Sequence, residues 1–335
     1  MAPSYNDRMS STPHQGLIGL TPKQSLLLRI AFWGNMISQM GIIVTGAVVR
    51  LTGSGLGCST WPNCEPGQFT PRYHPEMGIR PFIEFGNRTL TGVLVVFAVA
   101  VLVLTYLWLK HKGAGFRVLA WVPLILTLVQ ALLGMGVVVL HLDPKWVSLH
   151  FLVSPILVFV SGLLLYRLYD GNDTGRPAVA RPVRLLFWPM AAAGFLVLIL
   201  GTIVTGSGPH SGDANTMVRF MVDPRTISWL HADVVMLFAG LLVGLLVALV
   251  ASGAHRPARR AALALVVVTA LQAVIGYTQY LLGLPELLVA LHMTGAALFA
   301  GGISWVGSSL YTWREKTAVD HEEAGAHAAT PTPAH

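Results

Sequence analysis

Residues 234–251 read VVMLFAGLLVGLLVALVA, eighteen positions in a row without a charged or strongly polar side chain. They lie within a longer apolar run at about 228–252, and a helix needs about 20 apolar residues to cross a bilayer. Seven more runs of this kind occur, near 27–49, 82–109, 118–140, 147–168, 185–205, 262–282 and 287–311. The sequence therefore predicts an all-α membrane protein with eight transmembrane helices.

The overall composition of the chain excludes a soluble domain. Of its 335 residues, 54% are hydrophobic and only 11% are charged, whereas about a quarter of a typical soluble chain is charged. The first apolar run begins after about 25 mostly polar residues, so we expect no cleavable signal peptide.

The distribution of basic residues predicts how the helices are oriented. Of the 22 Lys and Arg residues, 15 fall in the terminal segments and the loops on the same side, and 7 fall on the opposite side. The positive-inside rule then places both termini in the cytoplasm. We interpret the net charge of +7 as a topology signal with some attraction to anionic membrane lipid, not as a nucleic-acid surface. A multi-pass protein of a bacterial plasma membrane is expected.

The chain divides into five predicted segments. Residues 1–25 and 314–335 have the composition of disordered cytoplasmic tails, because they contain too few apolar residues to form a core. Residues 171–184 resemble a cytoplasmic linker. The segments 26–170 and 185–313 each contain four of the apolar runs and are each predicted to form a four-helix bundle.

The two predicted bundles repeat one another in sequence. QALLG at 130–134 matches QAVIG at 272–276, and Leu-His ending at His150 matches Leu-His ending at His292. The offset is 142 residues for both matches. Because each half has four helices, the two copies enter the membrane in the same sense, which makes a parallel repeat.

The other helices of the repeat agree with this interpretation. GIIVTG at 41–46 matches GTIVTG at 201–206, and Ile-x-x-x-Asn ending at Asn87 matches Ile-x-x-x-His ending at His231. The fold class is therefore predicted to be two pseudosymmetric four-helix bundles.

Histidines inside the apolar runs are the strongest functional signal. An ionisable group in a membrane segment is costly and is usually functional. His231 and His292 have similar predicted depths in the same half, and two imidazoles facing each other across a bundle suit the axial positions of a haem. The alternative is that each is a buried histidine donating one hydrogen bond to a carbonyl group.

The first half offers an unequal version of this site. His150 corresponds to His292, but Asn87 stands where the second half has His231, and asparagine is a poor haem ligand. One axial position is therefore expected to be open, weakly held or filled by another residue such as His141. The alternative hypothesis for His141 is that it is a loop residue near Asp143 and not part of the site.

Glu84 and Arg88 lie beside the first-half site, four residues apart and hence on one helix face. One hypothesis is that they form a simple ion pair at the membrane interface. The other is that they are part of the site, where the carboxylate of Glu84 accepts a proton or a hydrogen bond from a substituent on a bound haem.

Cys58 and Cys64 are the two cysteines of the chain, and both lie in the first outer loop. That loop faces an oxidising compartment under the predicted orientation, which favours a disulfide. Two free thiols, or two ligands of an incomplete metal site, are the alternatives.

The motifs resemble those of the haem A synthase family over roughly residues 27–311. The most specific is VVRLTGSGLGCSTWPNC at 48–64, supported by IEFGNR at 83–88 and PKWVSLHF at 144–151. The resemblance implies two pseudosymmetric bundles, the second holding haem b and the first binding haem o as substrate. The C8 methyl group of haem o is then oxidised to a formyl group by two oxygen-dependent hydroxylations and loss of water.

The resemblance also implies roles for individual residues. His231 and His292 match the axial ligands of haem b, His150 matches a ligand of the substrate haem, and Glu84 matches the family's essential carboxylate. Cys58 and Cys64 match the outer-loop disulfide of the family.

Two departures from the family pattern stand out. Many members have histidine where this chain has Asn87, and some have a second disulfide in the second half, for which this chain has no cysteines.

The expected partners are haem o, an enzyme that makes it, an electron donor, and a second copy of the chain in a homo-oligomer. The alternative function is a di-haem b-type cytochrome that relays electrons. A transporter is disfavoured because the helices contain almost no acidic residues other than Glu84, and a relay for protons or cations would need them.

Overall fold

The computed structural model of the protein describes residues 17, 19–170, 175–210, 212–213 and 218–312. Its elements in chain order are α1 Pro22–Leu51, α2 Arg80–Trp108, α3 Ala114–Leu119, α4 Val122–Val139, α5 Pro144–Tyr169, β1 Arg176–Pro177, α6 Arg181–Ser207, α7 Pro224–Ala251, α8 Arg256–Leu281, α9 Glu286–Ser309 and β2 Tyr311–Thr312. In this described part, eight spans are long and apolar enough to cross a membrane, with α3 and α4 forming one span. The prediction of an all-α membrane protein with eight transmembrane helices is confirmed.

The start of α1 differs from the predicted boundary. The helix begins at Pro22, inside the stretch 1–25 that the sequence predicts to be disordered. The backbone N–H of Gln24 donates to Thr21 Oγ1 at 3.3 Å, and that of Thr21 donates to Gln24 Oε1 at 2.9 Å. This capping box satisfies two backbone donors, and Pro22 at the first helical position has no N–H that needs a partner. The helix start is therefore determined by the capping box and not by the position of the first apolar residue.

The start of α6 differs from its predicted boundary for a similar reason. α6 begins at Arg181, inside the predicted linker 171–184, with Pro182 in its first turn. The apolar run starts later because Arg181 and Arg184 are charged, yet both are helical. The rest of the predicted tails and linker includes residues 1–16, 18, 171–174 and 314–335, which lie outside the described residues, as does residue 313 at the end of the predicted second bundle.

The membrane helices pack as two rings of four. Contacts join α1–α2, α2–α4, α4–α5 and α1–α5 in the first half, and α6–α7, α7–α8, α8–α9 and α6–α9 in the second. These pairs correspond one to one. The rings meet through α5–α9, α1–α9 and α5–α6, which is the pattern of a two-fold pseudosymmetry that exchanges α1 with α6 and α5 with α9.

Small and hydroxyl-bearing residues line the seam between the rings. Asn35 Nδ2 of α1 donates to Ser161 Oγ of α5 at 2.8 Å, and Ser304 Oγ of α9 donates to the carbonyl of Phe159 at 2.6 Å. A Cβ atom on Gly162 would lie 3.0 Å from Ser304 Oγ. Small residues of this kind allow membrane helices to approach closely.

The last helix serves the apolar cores of both halves. Ala297 and Ala300 of α9 belong to the same buried cluster as Phe32 of α1 and Leu165 of α5. The second half has its own cluster, to which α9 contributes Phe299 and other residues.

The halves are also tied together at the end of the bundle that carries residues 52–79, 140–143, 208–210, 212–213, 218–223 and 282–285, called the loop end below. The backbone N–H of Gly55 donates to the carbonyl of Gly212 at 2.7 Å. Any side chain on Gly55 would collide with that carbonyl. Arg50 Nη2 of α1 donates to the carbonyl of Thr205 of α6 at 2.8 Å. At the opposite end, β1 pairs with β2 in antiparallel fashion.

Candidate active site

Glu84 lies in the second turn of α2, close to the loop end. It is 5% exposed and is the one buried carboxylate among the described residues. Its Oε2 accepts a hydrogen bond from the backbone N–H of Cys58 at 2.7 Å, and its Oε1 accepts one from Nε of Arg88 at 3.0 Å. The carboxylate is therefore held from two sides, with a guanidinium to balance its charge.

Arg88 also binds the loop above it. Its Nη1 donates to the carbonyl of Thr60 at 2.7 Å and to that of Asn63 at 3.4 Å, and its Nη2 donates to the carbonyl of Cys58 at 3.3 Å. One side chain thus links Glu84 to three carbonyl groups of residues 58–64, which we call the disulfide loop.

The predicted disulfide between Cys58 and Cys64 is present, and both side chains are buried. This confirms the prediction and excludes both alternatives. Just beyond it, Glu65 Oε1 accepts hydrogen bonds from the backbone N–H of Arg72 and from the ring of His74, each at 2.9 Å. These contacts, that with Arg72 foremost, lower the pKa of Glu65.

Each of the three membrane histidines packs against a glycine of a neighbouring helix. We call these contacts the glycine seats. A Cβ atom added to the glycine would lie 3.2–3.4 Å from Cε1 of the imidazole in all three pairs, which are Gly134 with His150, Gly201 with His231, and Gly276 with His292. The same seat on three helix pairs places the imidazoles in corresponding positions of the repeat.

The three rings also share one hydrogen-bonding state. Nδ1 of each is buried and makes no hydrogen bond of regular geometry. Each ring interacts instead with the carbonyl four residues before its glycine, that of Gln130, Val197 or Gln272. No described residue is bonded to Nε2 of any of the three. Buried polar atoms normally have partners, and the carbonyl group fills that role for Nδ1. Nε2 of each ring would then be the atom that binds a haem iron, an arrangement typical of histidine ligands.

His231 and His292 form a pair within the second half. They lie seven and six residues after the starts of α7 and α9, which is about 9–11 Å along each helix. The two rings are near enough to interact electrostatically. In the described part of the chain, no three His, Cys, Asp or Glu side chains gather in a way that could hold a metal ion by themselves. The donor set suits a metal carried by a macrocycle.

Asn87 occupies the position in α2 that His231 occupies in α7. Its Oδ1 accepts a hydrogen bond from Thr45 Oγ1 at 2.7 Å. Gly41 corresponds to Gly201, but a Cβ atom added to Gly41 would meet nothing within 4 Å. The fourth glycine seat therefore holds no ring, because the shorter asparagine does not reach it.

His141 lies in the turn between α4 and α5 and is exposed. Its φ is 51° and that of Leu142 is 61°, and the corresponding residues Gly283 and Leu284 have φ of 75° and 65°. The His141 side chain makes no hydrogen bond to a described residue. Its assignment to the substrate haem site stays a prediction.

The sequence did not point to Thr45 or to the function of the glycines. A signal existed, because the repeat places Thr45 and Thr205 at corresponding positions. Thr205 Oγ1, however, donates to the carbonyl of Gly201 in its own helix at 2.7 Å. Thr45 Oγ1 likewise lies 3.3 Å from the carbonyl of Gly41, and only the structure shows its shorter contact of 2.7 Å with Asn87 Oδ1.

A family model described as cytochrome oxidase assembly protein, COX15-CtaA, matches residues 29–300. The chain belongs to the COX15-CtaA family. The match runs from α1 to α9 of this COX15-CtaA protein, so it includes both rings of helices and every residue assigned above to the site. It agrees with the resemblance drawn from the motifs.

Relatives of this COX15-CtaA protein carry a more specific name. It is 25% identical to the heme A synthase of Exiguobacterium sp. over 222 residues, which are 65% of this chain and 70% of that protein. The heme A synthase of Bacillus pumilus is 32% identical over 43% of this chain and 45% of its own length. That of Staphylococcus saprophyticus is 29% identical over 48% and 52%. The chain spans about half the length of these last two relatives.

Proposed function

We propose that this chain is a haem A synthase, which oxidises the C8 methyl group of haem o to a formyl group and so supplies haem A for cytochrome oxidase. The observation that carries the proposal is the unequal repeat. Three histidines occupy glycine seats, and the fourth position is Asn87, beside the buried pair of Glu84 and Arg88. The family match and the names of the relatives support it.

We propose that His231 and His292 would hold haem b in the second half. A site closed by two imidazoles favours electron transfer over binding of a substrate. The glycine seats orient both rings, and the haem, when bound, supplies one-electron redox chemistry.

We assign His150 to the iron of the substrate haem o in the first half, with Asn87, Arg88 and His141 completing that site. The seat on Gly134 fixes the plane of the His150 ring. The substrate is thus held on one side by an imidazole, while the other side carries an amide.

Glu84 is the residue to which we assign proton transfer. Each hydroxylation of a C–H bond by O₂ consumes two electrons and two protons, because the second oxygen atom leaves as water. Two hydroxylations give a geminal diol, and loss of water gives the formyl group. A buried carboxylate positioned by Cys58 and Arg88 can pass protons at its Oε atoms without changing its orientation.

We further propose that both termini are cytoplasmic and that the loop end faces the opposite side of a bacterial plasma membrane. The disulfide at the loop end supports this orientation. The enzyme that makes haem o, an unidentified electron donor and a second copy of the chain remain proposed partners.

The test is to co-express the chain with an enzyme that makes haem o and to identify the extracted haem by chromatography and mass. We expect haem A from the wild type. Glu84→Ala should lower it about a hundredfold or more, because positioned acid–base groups contribute at least that much to many reactions.

Glu286→Ala is the matched control. Glu286 is an exposed carboxylate in the first turn of α9, at the same end of the bundle, and its loss should leave haem A unchanged. Haem A at wild-type level in Glu84→Ala would refute the role of Glu84. A folded wild type that holds haem b in both halves and leaves haem o unconverted would favour the di-haem cytochrome.

A further inference from the structure

The Thr45–Asn87 contact fixes how the side-chain amide of Asn87 is used. Thr45 Oγ1 has three acceptors within reach, and Asn87 Oδ1 at 2.7 Å is nearer than the carbonyls of Gly41 and Ile42 at 3.3 Å. Thr45 therefore donates to Oδ1, the atom through which an asparagine binds a metal. The remaining group is the NH₂, which carries two N–H donors. No described residue accepts a hydrogen bond from it.

The second half shows what this position does when it carries a ligand. The ring of His231 lies against Gly201, 3.4 Å from the position of an added Cβ atom, whereas the space beside Gly41 is open. Thr205 Oγ1 donates to the carbonyl of Gly201 in its own helix at 2.7 Å, and it makes no contact with His231 that corresponds to the contact of Thr45 with Asn87. Asn87 is thus too short for the seat and is already bonded to Thr45.

We propose that Asn87 is not an iron ligand but a hydrogen-bond donor, oriented by Thr45 toward the open axial side of the haem that His150 binds. This rests on the proposed function only in requiring a haem in the first half. That haem has one protein ligand and a polar N–H beside its free side. A donor in that place stabilises negative charge that develops on a small molecule entering the axial position.

Carbon monoxide is the probe that tests the ligand count. The full chain is purified, reconstituted with haem b in both halves and reduced. We expect the wild type to bind one CO per two haems, because the His231–His292 site has no free position. Asn87→His should abolish CO binding, because the open seat at Gly41 has room for the ring. His150→Ala should remove the CO-binding haem and so identify it as the first-half haem.

The frequency of the C–O stretch tests the donor. Asn87→Leu should keep CO binding and move the stretch to higher wavenumber, because the N–H no longer polarises the bound molecule. Thr45→Val should move it in the same direction. Thr205→Val is the matched control at the corresponding position and should leave it unchanged.

A wild type that binds no CO, or a stretch that stays in place in Asn87→Leu, would overturn the inference. If Asn87→His does not fold, the Leu and Val variants still decide the outcome. Haem A production is measured separately. A chain that makes no haem A but gives the expected CO pattern would refute the enzyme and keep this inference. A chain that makes haem A but binds no CO would refute this inference and keep the enzyme assignment.

Discussion

The two halves of the molecule share a backbone and differ on one helix face. The glycine seats, the rings of helices and the turns before α5 and α9 correspond. The differences lie where α2 and α7 face their sites, and they are Glu84 in place of Ser228, Asn87 in place of His231, and Arg88 in place of Ala232. Packing positions maintain the repeat, so we propose that three differences within residues 84–88 are enough to separate the proposed substrate site from the proposed haem b site.

The turns show how firmly the backbone is kept. His141 and Gly283 occupy corresponding left-handed positions, with φ of 51° and 75°. A residue with a Cβ atom in this conformation costs about 1–2 kcal/mol, which glycine avoids. The first half thus retains the turn at a cost in free energy that the second half does not have.

The largest expected effect comes from leaving Glu84 without Arg88. Removing one partner of a buried ion pair costs about 3–5 kcal/mol, and we expect Arg88→Ala to fall near the lower end because its side chain is 17% exposed. The double change Glu84→Ser with Arg88→Ala copies the second half and should be less damaging, since no unpaired charge remains. The measurement is thermal unfolding of the purified protein in detergent. Equal losses in the single and double variants would contradict this reading.

A smaller effect is expected at the glycine seats, where corresponding positions give a matched pair. Gly201→Val pushes on His231, and overpacking of this kind costs about 1–3 kcal/mol, or about tenfold to hundredfold in haem affinity. Gly41→Val meets open space and should have little effect. The readout is the low-spin haem spectrum after purification. A loss of similar size in both variants would show that the seats do not differ.

The smallest effect concerns two carboxylates in connections at the loop end, the half-buried Glu65 and the exposed Asp223. The side chain and then the backbone of Thr226 lower the pKa of Asp223, as Arg72 and His74 do for Glu65. A lowered pKa means that the ionised form stabilises the fold. That contribution is complete above the unfolded pKa of about 4 and is lost as the pH falls through the folded value.

Asp223→Asn and Glu65→Gln should therefore each reduce the drop in melting temperature between about pH 6 and pH 3. Thermal scans at the two pH values measure it. A drop as steep as in the wild type in both variants would assign the acid sensitivity to other groups.

Much of the fold could be predicted because the membrane imposes a simple length and polarity rule. The apolar runs mark the helices, and the offset between His150 and His292 marks the repeat. The starts of α1 and α6 could not be predicted from those runs, because the Thr21 cap and Pro182 in the first turn favour a helix start without contributing to an apolar run. β1 and β2 are two residues each, too short for any alternation to be visible.

The candidate site divides in the same way. Glu84 and the histidines are unusual residue types inside apolar segments, so the sequence singles them out. The carbonyl groups of Thr60 and Asn63, which Arg88 binds, carry no residue-type signature, because every residue has a carbonyl. Their position depends on the folded disulfide loop. The bond between Thr45 and Asn87 joins two ordinary polar residues on different helices, and only their packing reveals it.

The contribution of α9 to the first-half core has a consequence for how the protein is made. Ribosomes deliver the chain from its N-terminus, so α1 to α5 are synthesised before Ala297 and Ala300 exist. The buried cluster around Phe32 and Leu165 is incomplete until α9 has been inserted. The first half is therefore translated first, but its apolar core is completed last, when the final membrane helix arrives.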